Sequence, residues 1–293
     1  KLNAQKIAPP INSFVQNKSQ FAGGYVKDPQ VGMHDWVVSF DLNSLYPNII
    51  VQWNMSPETL IDQSEVSGVD YYMNAEKVKS RSCVAANGSR YRKNKVGVIP
   101  SIITDYYDDR RSIKNMMLAT QAQYQKNPTA ELDKEINKLN NQQMAIKILM
   151  NSLYGALGNQ YFKYFDLRLA EGVTLTGQLA IRWAERTMNQ TMNEVLNESR
   201  SESVQADYVI AIDTDSLYVN FGPLIEKFKP KDPVKFLDKI CKDHFEKKLE
   251  ESYKTLFDNM NCLSNRMEMG REVIADRGIW TAKKRYILNV HNN

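Results

Sequence analysis

The sequence predicts an α+β protein: an antiparallel sheet flanked by helices, with an antiparallel helical hairpin inserted into it. Three observations carry this. Short β-prone runs lie at Trp36–Phe40, Tyr208–Ile212 and Leu217–Val219, far apart in the chain. Two long helical patterns, from Pro100 to about residue 126 and from about Ala130 to Leu157, meet at the break Asn127-Pro128-Thr129 and form a helical hairpin. A third helical pattern covers about residues 167–197.

Composition allows such a core and narrows the function classes. The chain has 293 residues, 42% of them apolar and 25% charged, which is globular. The net charge is 38 − 34 = +4, so any nucleic-acid footprint has to be local. Cys83, Cys241 and Cys262 stand at no zinc-ligand spacing, and His34, His244 and His291 are scattered, which argues against zinc and disulfides. No run of 18 apolar residues is present, so no membrane partner is expected. The chain starts at Lys1 and ends in a polar stub, and is read as a piece of a longer protein.

Residues 1–30 carry Pro9, Pro10, Gly23, Gly24 and Pro29 and read as an irregular lead-in. The run Trp36–Phe40 ends at Asp41. Ser44 followed by Tyr46-Pro47 reads as a helix start with Pro47 at the first helical position, making Asp41–Tyr46 a strand-to-helix turn. Residues 61–98 look like loop and short strands, with Asn87-Gly88 a turn. Gly158-Asn159 closes the second long helix. Asp213-Thr214-Asp215-Ser216 joins two β runs as a hairpin with acids at its tip. A helix of mixed charge covers about 233–258, and the tail holds Arg271-Glu272-Val273 and Lys283-Lys284-Arg285-Tyr286.

Two carboxylates one residue apart at a hairpin tip repel unless a cation compensates. A divalent metal is the usual compensation, and ligands that are all oxygen suit Mg²⁺. With Asp41 as the carboxylate from another strand, Asp213 and Asp215 complete a candidate clamp for two-metal phosphoryl transfer. Taken alone, Asp-Thr-Asp-Ser is ordinary turn chemistry. Arg110 and Lys114 share one helix face, as do Lys147, Asn151 and Tyr154 on the next helix. If the helices pair antiparallel, these faces can meet and hold a triphosphate. The bland alternative is a solvated surface salted by Asp108 and Asp109. Lys147, in the run Met144-Ala145-Ile146-Lys147-Ile148-Leu149-Met150, is a lysine amid apolar neighbours, which suggests a specific partner. Lys283-Lys284-Arg285-Tyr286 can grip a phosphate backbone, or be an ordinary basic turn.

Three segments resemble the motifs of family B DNA polymerases, in the family's order: Asp41-Leu42-Asn43-Ser44-Leu45-Tyr46-Pro47, Lys147-Ile148-Leu149-Met150-Asn151-Ser152-Leu153-Tyr154-Gly155 and Asp213-Thr214-Asp215-Ser216. Gly24-Tyr25-Val26-Lys27, Ser56-Pro57-Glu58-Thr59 and Trp280–Tyr286 look most similar to replicative polymerases of large tailed bacteriophages. The resemblance implies a palm over 1–98 and 160–293 with fingers over 99–159. It implies template-directed DNA synthesis, with two Mg²⁺ ions (Mn²⁺ as the substitute) on Asp41, Asp215 and the Leu42 carbonyl, and Asp213 beside them. Ser44 and Leu45 amides, Arg110, Lys114 and Lys147 would meet the triphosphate. Tyr46 would exclude a 2′-hydroxyl, and Asn151, Tyr154 and Gly155 would line the nascent base pair. Glu272 matches a palm carboxylate near the metals, and Thr214, Lys283, Lys284, Arg285 and Tyr286 would contact the primer duplex. Implied partners are primer–template DNA, deoxynucleoside triphosphates and, through a parent protein, a sliding clamp. The implied setting is the cytoplasm of an infected bacterium.

Ile212 departs from the resemblance, since glycine is frequent before Asp213, and this is expected to alter how the hairpin tip meets a primer end. The helical hairpin is expected to have a trimmed tip. No exonuclease or thumb fits in this length, so weak processivity is expected of the piece alone. The competing reading is a catalytically silent nucleic-acid-binding module; an RNA polymerase or reverse transcriptase on a related palm is a third.

Overall fold

The computed structural model describes residues 22–197 and 205–292. Its centre is a five-stranded antiparallel sheet, in the order β5-β6-β1-β7-β8, made of β1 (Gly32–Leu42), β5 (Val209–Asp213), β6 (Ser216–Asn220), β7 (Met269–Ala282) and β8 (Arg285–Asn292). Strands alternate their side chains between two faces, and β1 does so across a layered core. Val38, Phe40 and Leu42 are buried with the helices, whereas Val37 packs in a small cluster with Ile210, Ala211 and Trp280. Asp41 therefore falls on the face away from the main core.

The helical layer comprises α1 (Leu45–Gln52), α5 (Leu167–Asn197), α6 (Gly222–Phe228), α7 (Pro233–Ile240) and α8 (Glu246–Asn259). A small sheet of β2 (Leu60–Gln63), β4 (Ser89–Tyr91) and β3 (Cys83–Val84) sits beside it, with Gly88 in its turn at φ 81°, and α2 (Val69–Asn74) packs on α5. The helical hairpin is α3 (Val98–Lys126) and α4 (Ala130–Leu157), packed on each other along their length. Thr129 caps α4, its hydroxyl accepting from the Leu132 N–H at 3.2 Å. No helix among the described residues is long and apolar enough to cross a membrane.

Five local expectations are corrected. Helix α1 begins at Leu45, so Pro47 is its third residue; the first N–H groups of a helix are unpaired anyway, and a proline there removes nothing. Ser44 makes no side-chain cap and sits instead in the left-handed region at φ 49°. The 61–98 stretch contains α2, whose only buried residues are Val69 and Tyr72, too short a pattern to read. The helix expected over 233–258 is broken by a π-helical turn at Cys241–Phe245. Its buried residues recur every fourth position, at Leu237, Cys241, Phe245, Leu249 and Tyr253. That spacing outruns 3.6 residues per turn, and the π-helical turn re-phases the stripe onto the sheet. The tail is a long hairpin, β7–β8, turning at Lys283-Lys284. The expected irregular lead-in is partly a sheet partner: Val26 bridges Asp213, and residues 1–21 lie outside the described residues.

Candidate active site

Asp41 is the penultimate residue of β1, flanked in register by Ser216 of β6 and Gly270 of β7. Its carboxylate Oδ2 accepts from the Ser216 hydroxyl at 2.9 Å. The next residue ties the β5–β6 turn down, because the Leu42 N–H donates to the Asp215 carbonyl at 2.9 Å. Asp41 and Asp215 are thus brought together by the β1–β6 pairing rather than by sequence proximity.

The turn itself is Thr214-Asp215, with Thr214 at φ 60°. A β-branched residue is strained there, and three contacts hold it. The Thr214 N–H donates to the Tyr25 carbonyl at 2.9 Å, its hydroxyl donates to Asp213 at 3.2 Å, and the Asp215 N–H donates to the Asp213 carbonyl at 2.7 Å. Gly24 is required by this packing, since a Cβ there would lie 2.8 Å from the Thr214 side chain.

Burial pushes the Asp41 carboxyl up to about 6, helped by repulsion from Asp215 and Glu272. Burial also raises Asp215, with Asp213 and Glu272 adding to it, while Lys147 opposes the shift at both. Glu272 reaches this group through a β-bulge: Ser39 faces Val273 and Phe40 faces Arg271, leaving Glu272 as the extra residue on β7. Its neighbour Arg271 turns to the helical layer and pairs with Asp238. Asp213 is held apart by Lys284, 3.2 Å away, so the turns of the two hairpins are joined. Among the described residues no three acidic, histidine or cysteine groups converge closely enough to hold a metal by themselves.

Tyr46 packs on Tyr154 with ring centroids 4.5 Å apart, and a Cβ on Gly177 of α5 would come within 3.0 Å of its ring. Burial lifts the Tyr46 hydroxyl to about 12. Arg110 of α3 donates to Gln143 of α4 at 3.2 Å, so the two faces meet as antiparallel pairing requires. Asp108 and Asp109 do not salt it: no carboxylate among the described residues pairs with Arg110 or Lys114. The apolar setting expected for Lys147 is corrected. It is exposed, and so are Met144, Ile148 and Leu149, because α4 buries only the narrow side that carries Leu139, Gln143 and Met150. Asn151 and Gly155 are exposed on the same helix, and nothing lies within 4 Å of where a Gly155 Cβ would be.

The motif for DNA polymerase family B matches residues 2–287. The chain belongs to DNA polymerase family B. It is 34% identical to the DNA-directed DNA polymerase of Escherichia phage RB69 over 92% of its length, covering 36% of that protein. It is 33% identical to the enzyme of Enterobacteria phage T4 over 98% of its length, covering 38% of that relative, and 30% identical to DNA polymerase 1 of Pyrococcus abyssi over 92%, covering 28%. This family B chain therefore spans little more than a third of the length of its phage relatives.

Within this family B chain, the structure gathers Asp41, Asp215, Glu272 and Lys147, and stacks Tyr46 on Tyr154. Lys283 pairs with Asp28 at 3.0 Å, and Tyr286 shares a 2.6 Å hydroxyl bond with Tyr218. Arg285 opens β8 and is exposed. Ile212 does not meet the open face: its side chain is buried with Leu217 in the main core, opposite Asp213 in the strand alternation. Sequence reasoning gave no site role to Tyr218, Gly177, Tyr25 or Arg266; Tyr25 was noted only within Gly24–Lys27 and Tyr218 only within a β run, while Gly177 and Arg266 carried no local signal.

Proposed function

We propose that this chain is the palm and fingers of a replicative DNA polymerase, with α3–α4 as the fingers, and that it adds deoxynucleotides to a primer end directed by a template. The observation that carries the reading is the convergence of Asp41, on β1, and Asp215, in the β5–β6 turn, with Lys147 of the helical hairpin as the cation both feel. In the reaction the primer 3′-oxygen bonds to the α-phosphorus and loses its proton, and the bond from that phosphorus to the pyrophosphate oxygen breaks.

The residues suit divalent cations. Two half-buried carboxylates close enough to repel need positive charge, and Mg²⁺ is commonly held by one or two carboxylates with substrate phosphates completing the set. Asp41, Asp215 and the Leu42 carbonyl would hold two Mg²⁺ ions, with Mn²⁺ as substitute, and these would neutralise the attacking and leaving oxygens. Asp213, paired with Lys284, supports the turn. The N–H groups of Ser44 and Leu45, with Arg110, Lys114 and Lys147, hold the triphosphate. Tyr46, backed by Tyr154 and Gly177, closes the space a 2′-hydroxyl would need. Asn151, Tyr154 and Gly155 border the incoming base. Thr214, Lys283, Lys284, Arg285 and Tyr286, with Glu272, line the primer duplex. A parent protein with a sliding clamp, in an infected bacterium, suits the phage relatives.

Primer extension by the parent protein tests this, with Asp215→Ala as the variant. Extension should fall by several orders of magnitude while duplex DNA still binds; undiminished extension sinks the metal assignment, whereas absence of extension by the unaltered parent protein favours a silent binding module.

A further inference from the structure

Residues 23–30 run as a strap along β5, the edge strand of the five-stranded sheet. The Thr214 N–H donates to the Tyr25 carbonyl at 2.9 Å, the Lys27 N–H to the Ile212 carbonyl at 3.2 Å, and the Gln30 N–H to the Ile210 carbonyl at 2.9 Å. The strap is anchored on both sides of Gly24. Gln178 of α5 donates to the Gly23 carbonyl at 2.6 Å. The Lys27 ammonium donates to Glu185 at 2.7 Å, to Asp207 at 2.6 Å and to the Val209 carbonyl at 2.9 Å.

Gly24 touches two groups that belong to different elements. A Cβ there would lie 2.8 Å from Thr214 Cγ2, 2.8 Å from Thr214 Oγ1 and 3.1 Å from the Tyr46 hydroxyl oxygen. Thr214 makes the turn that carries Asp215, and Tyr46 is the ring proposed to close the space of a 2′-hydroxyl. The turn and the end of the ring therefore rest on the same piece of backbone. Gly23 is different: nothing lies within 4 Å of where its Cβ would be.

Neither group has room to withdraw from a methyl at position 24. Thr214 is held at φ 60° by its N–H bond to Tyr25, and a β-branched side chain is stiff at χ1. The Tyr46 ring lies on Tyr154 at 4.5 Å between centroids, and Gly177 of α5 backs it so closely that a Cβ there would come within 3.0 Å. With the strap anchored as well, the added volume has to tilt the hydroxyl end of Tyr46 towards the open side, where the nucleotide sugar would sit.

We propose that Gly24 is a specificity-determining residue of the nucleotide site. Its missing side chain sets how deep the Tyr46 hydroxyl sits, and so leaves space for a deoxyribose and no more. This deepens the polymerase reading and rests on it for the nucleotide.

The test uses the parent protein on a primer ending in a dideoxynucleotide, where no new bond can form, and titrates dATP and ATP opposite a template thymine by primer–template fluorescence. Gly24→Ala should bind dATP about fivefold more weakly. ATP should lose less, because the ring already excludes it, so the preference for dATP should narrow about threefold. Tyr46→Phe removes the oxygen that the methyl meets. In the Tyr46→Phe background Gly24→Ala should therefore cost less than about twofold, a coupling that a general loss of stability would not produce. Gly23→Ala should match the unaltered protein. An unchanged preference in Gly24→Ala overturns the inference, as does an equal loss in the Tyr46→Phe background, and both leave the polymerase reading standing. Absence of any nucleotide binding by the unaltered parent overturns the polymerase reading and this inference with it.

Discussion

Replacing Asp41 by asparagine should stabilise the metal-free protein, although the residue is proposed to be essential for synthesis. The Asp41 carboxyl is raised from 3.8 to about 6 by burial and by the charges of Asp215 and Glu272. The unfolded chain ionises Asp41 near 3.9. Between about pH 4 and pH 6 the folded state therefore holds the extra proton, and stability from this group falls as pH rises through that window. Above it a constant penalty remains. A shift of about two units corresponds to roughly 3 kcal/mol at 1.36 per unit. Asp41 is only half-buried, and solvent screening reduces this to about 1 kcal/mol. Asparagine keeps an oxygen to accept the Ser216 hydroxyl and removes the charge. In chelator at pH 7.5 Asp41→Asn should melt about 2–4 °C above the unaltered protein, and the gap should narrow towards pH 5. Added Mg²⁺ should reverse the order, because only the unaltered site gains binding energy from the ion. A metal-free Asp41→Asn that melts lower at pH 7.5 refutes the claim that charge repulsion is stored here.

Three other perturbations are expected to separate positioning from chemistry. Gly177→Ala places a Cβ within 3.0 Å of the Tyr46 ring; it should displace the ring and change the ratio of ribo- to deoxynucleotide incorporation several-fold, read by single-nucleotide extension. Lys27 is nearly buried and pairs with Glu185 at 2.7 Å and Asp207 at 2.6 Å; Lys27→Met should cost about 2–3 kcal/mol in denaturant unfolding, less than a fully buried pair because Asp207 is half exposed. Tyr218→Phe removes the 2.6 Å bond to Tyr286 while keeping the edge-on contact with Trp280; it should weaken primer–template binding two- to fivefold in an anisotropy titration and leave the melting temperature within about 2 °C.

Much of the helical architecture was legible because it is written in local signals. The break at Asn127-Pro128-Thr129 and the Thr129 cap bound α4 at both the predicted and the observed residue. Asp213–Ser216 read as a hairpin because apolar β runs flank it. What was not legible depends on tertiary phase. The π-helical turn appears only when a four-residue stripe has to follow a sheet, and the bulge that frees Glu272 exists only in the pairing of β1 with β7. The exposure of Met144, Ile148 and Leu149 could not be read either, since an apolar run has the same appearance whether it enters a core or faces an open cleft. Arg266 carried no motif at all; it is seen only once its segment lies against Tyr107.

The height of Lys147 on the hairpin follows from two hydrogen bonds that it does not itself make. Arg110 bonds Gln143, which fixes the level of α4 against α3. Lys147 is four residues beyond Gln143, and the helices are antiparallel, so it lies level with Tyr106, about 6 Å nearer the base than Arg110. Tyr107, one residue on, is bonded to Asn43 in the β1–α1 turn, two residues from Asp41. The hairpin therefore offers its cations to the carboxylates through a clamp at Tyr107, not through its tip. The buried residues of α3 agree with this: Val98, Ile99, Pro100 and Ile103 all belong to its first two turns. Among the described residues α3–α4 packing is what holds the distal half of the hairpin, while Arg110, Lys114 and Lys147 sit within a few turns of the anchored end. Changes at the tip near Asn127 should then leave the level of these cations intact, whereas loss of the Tyr107–Asn43 bond should move all of them together relative to Asp41.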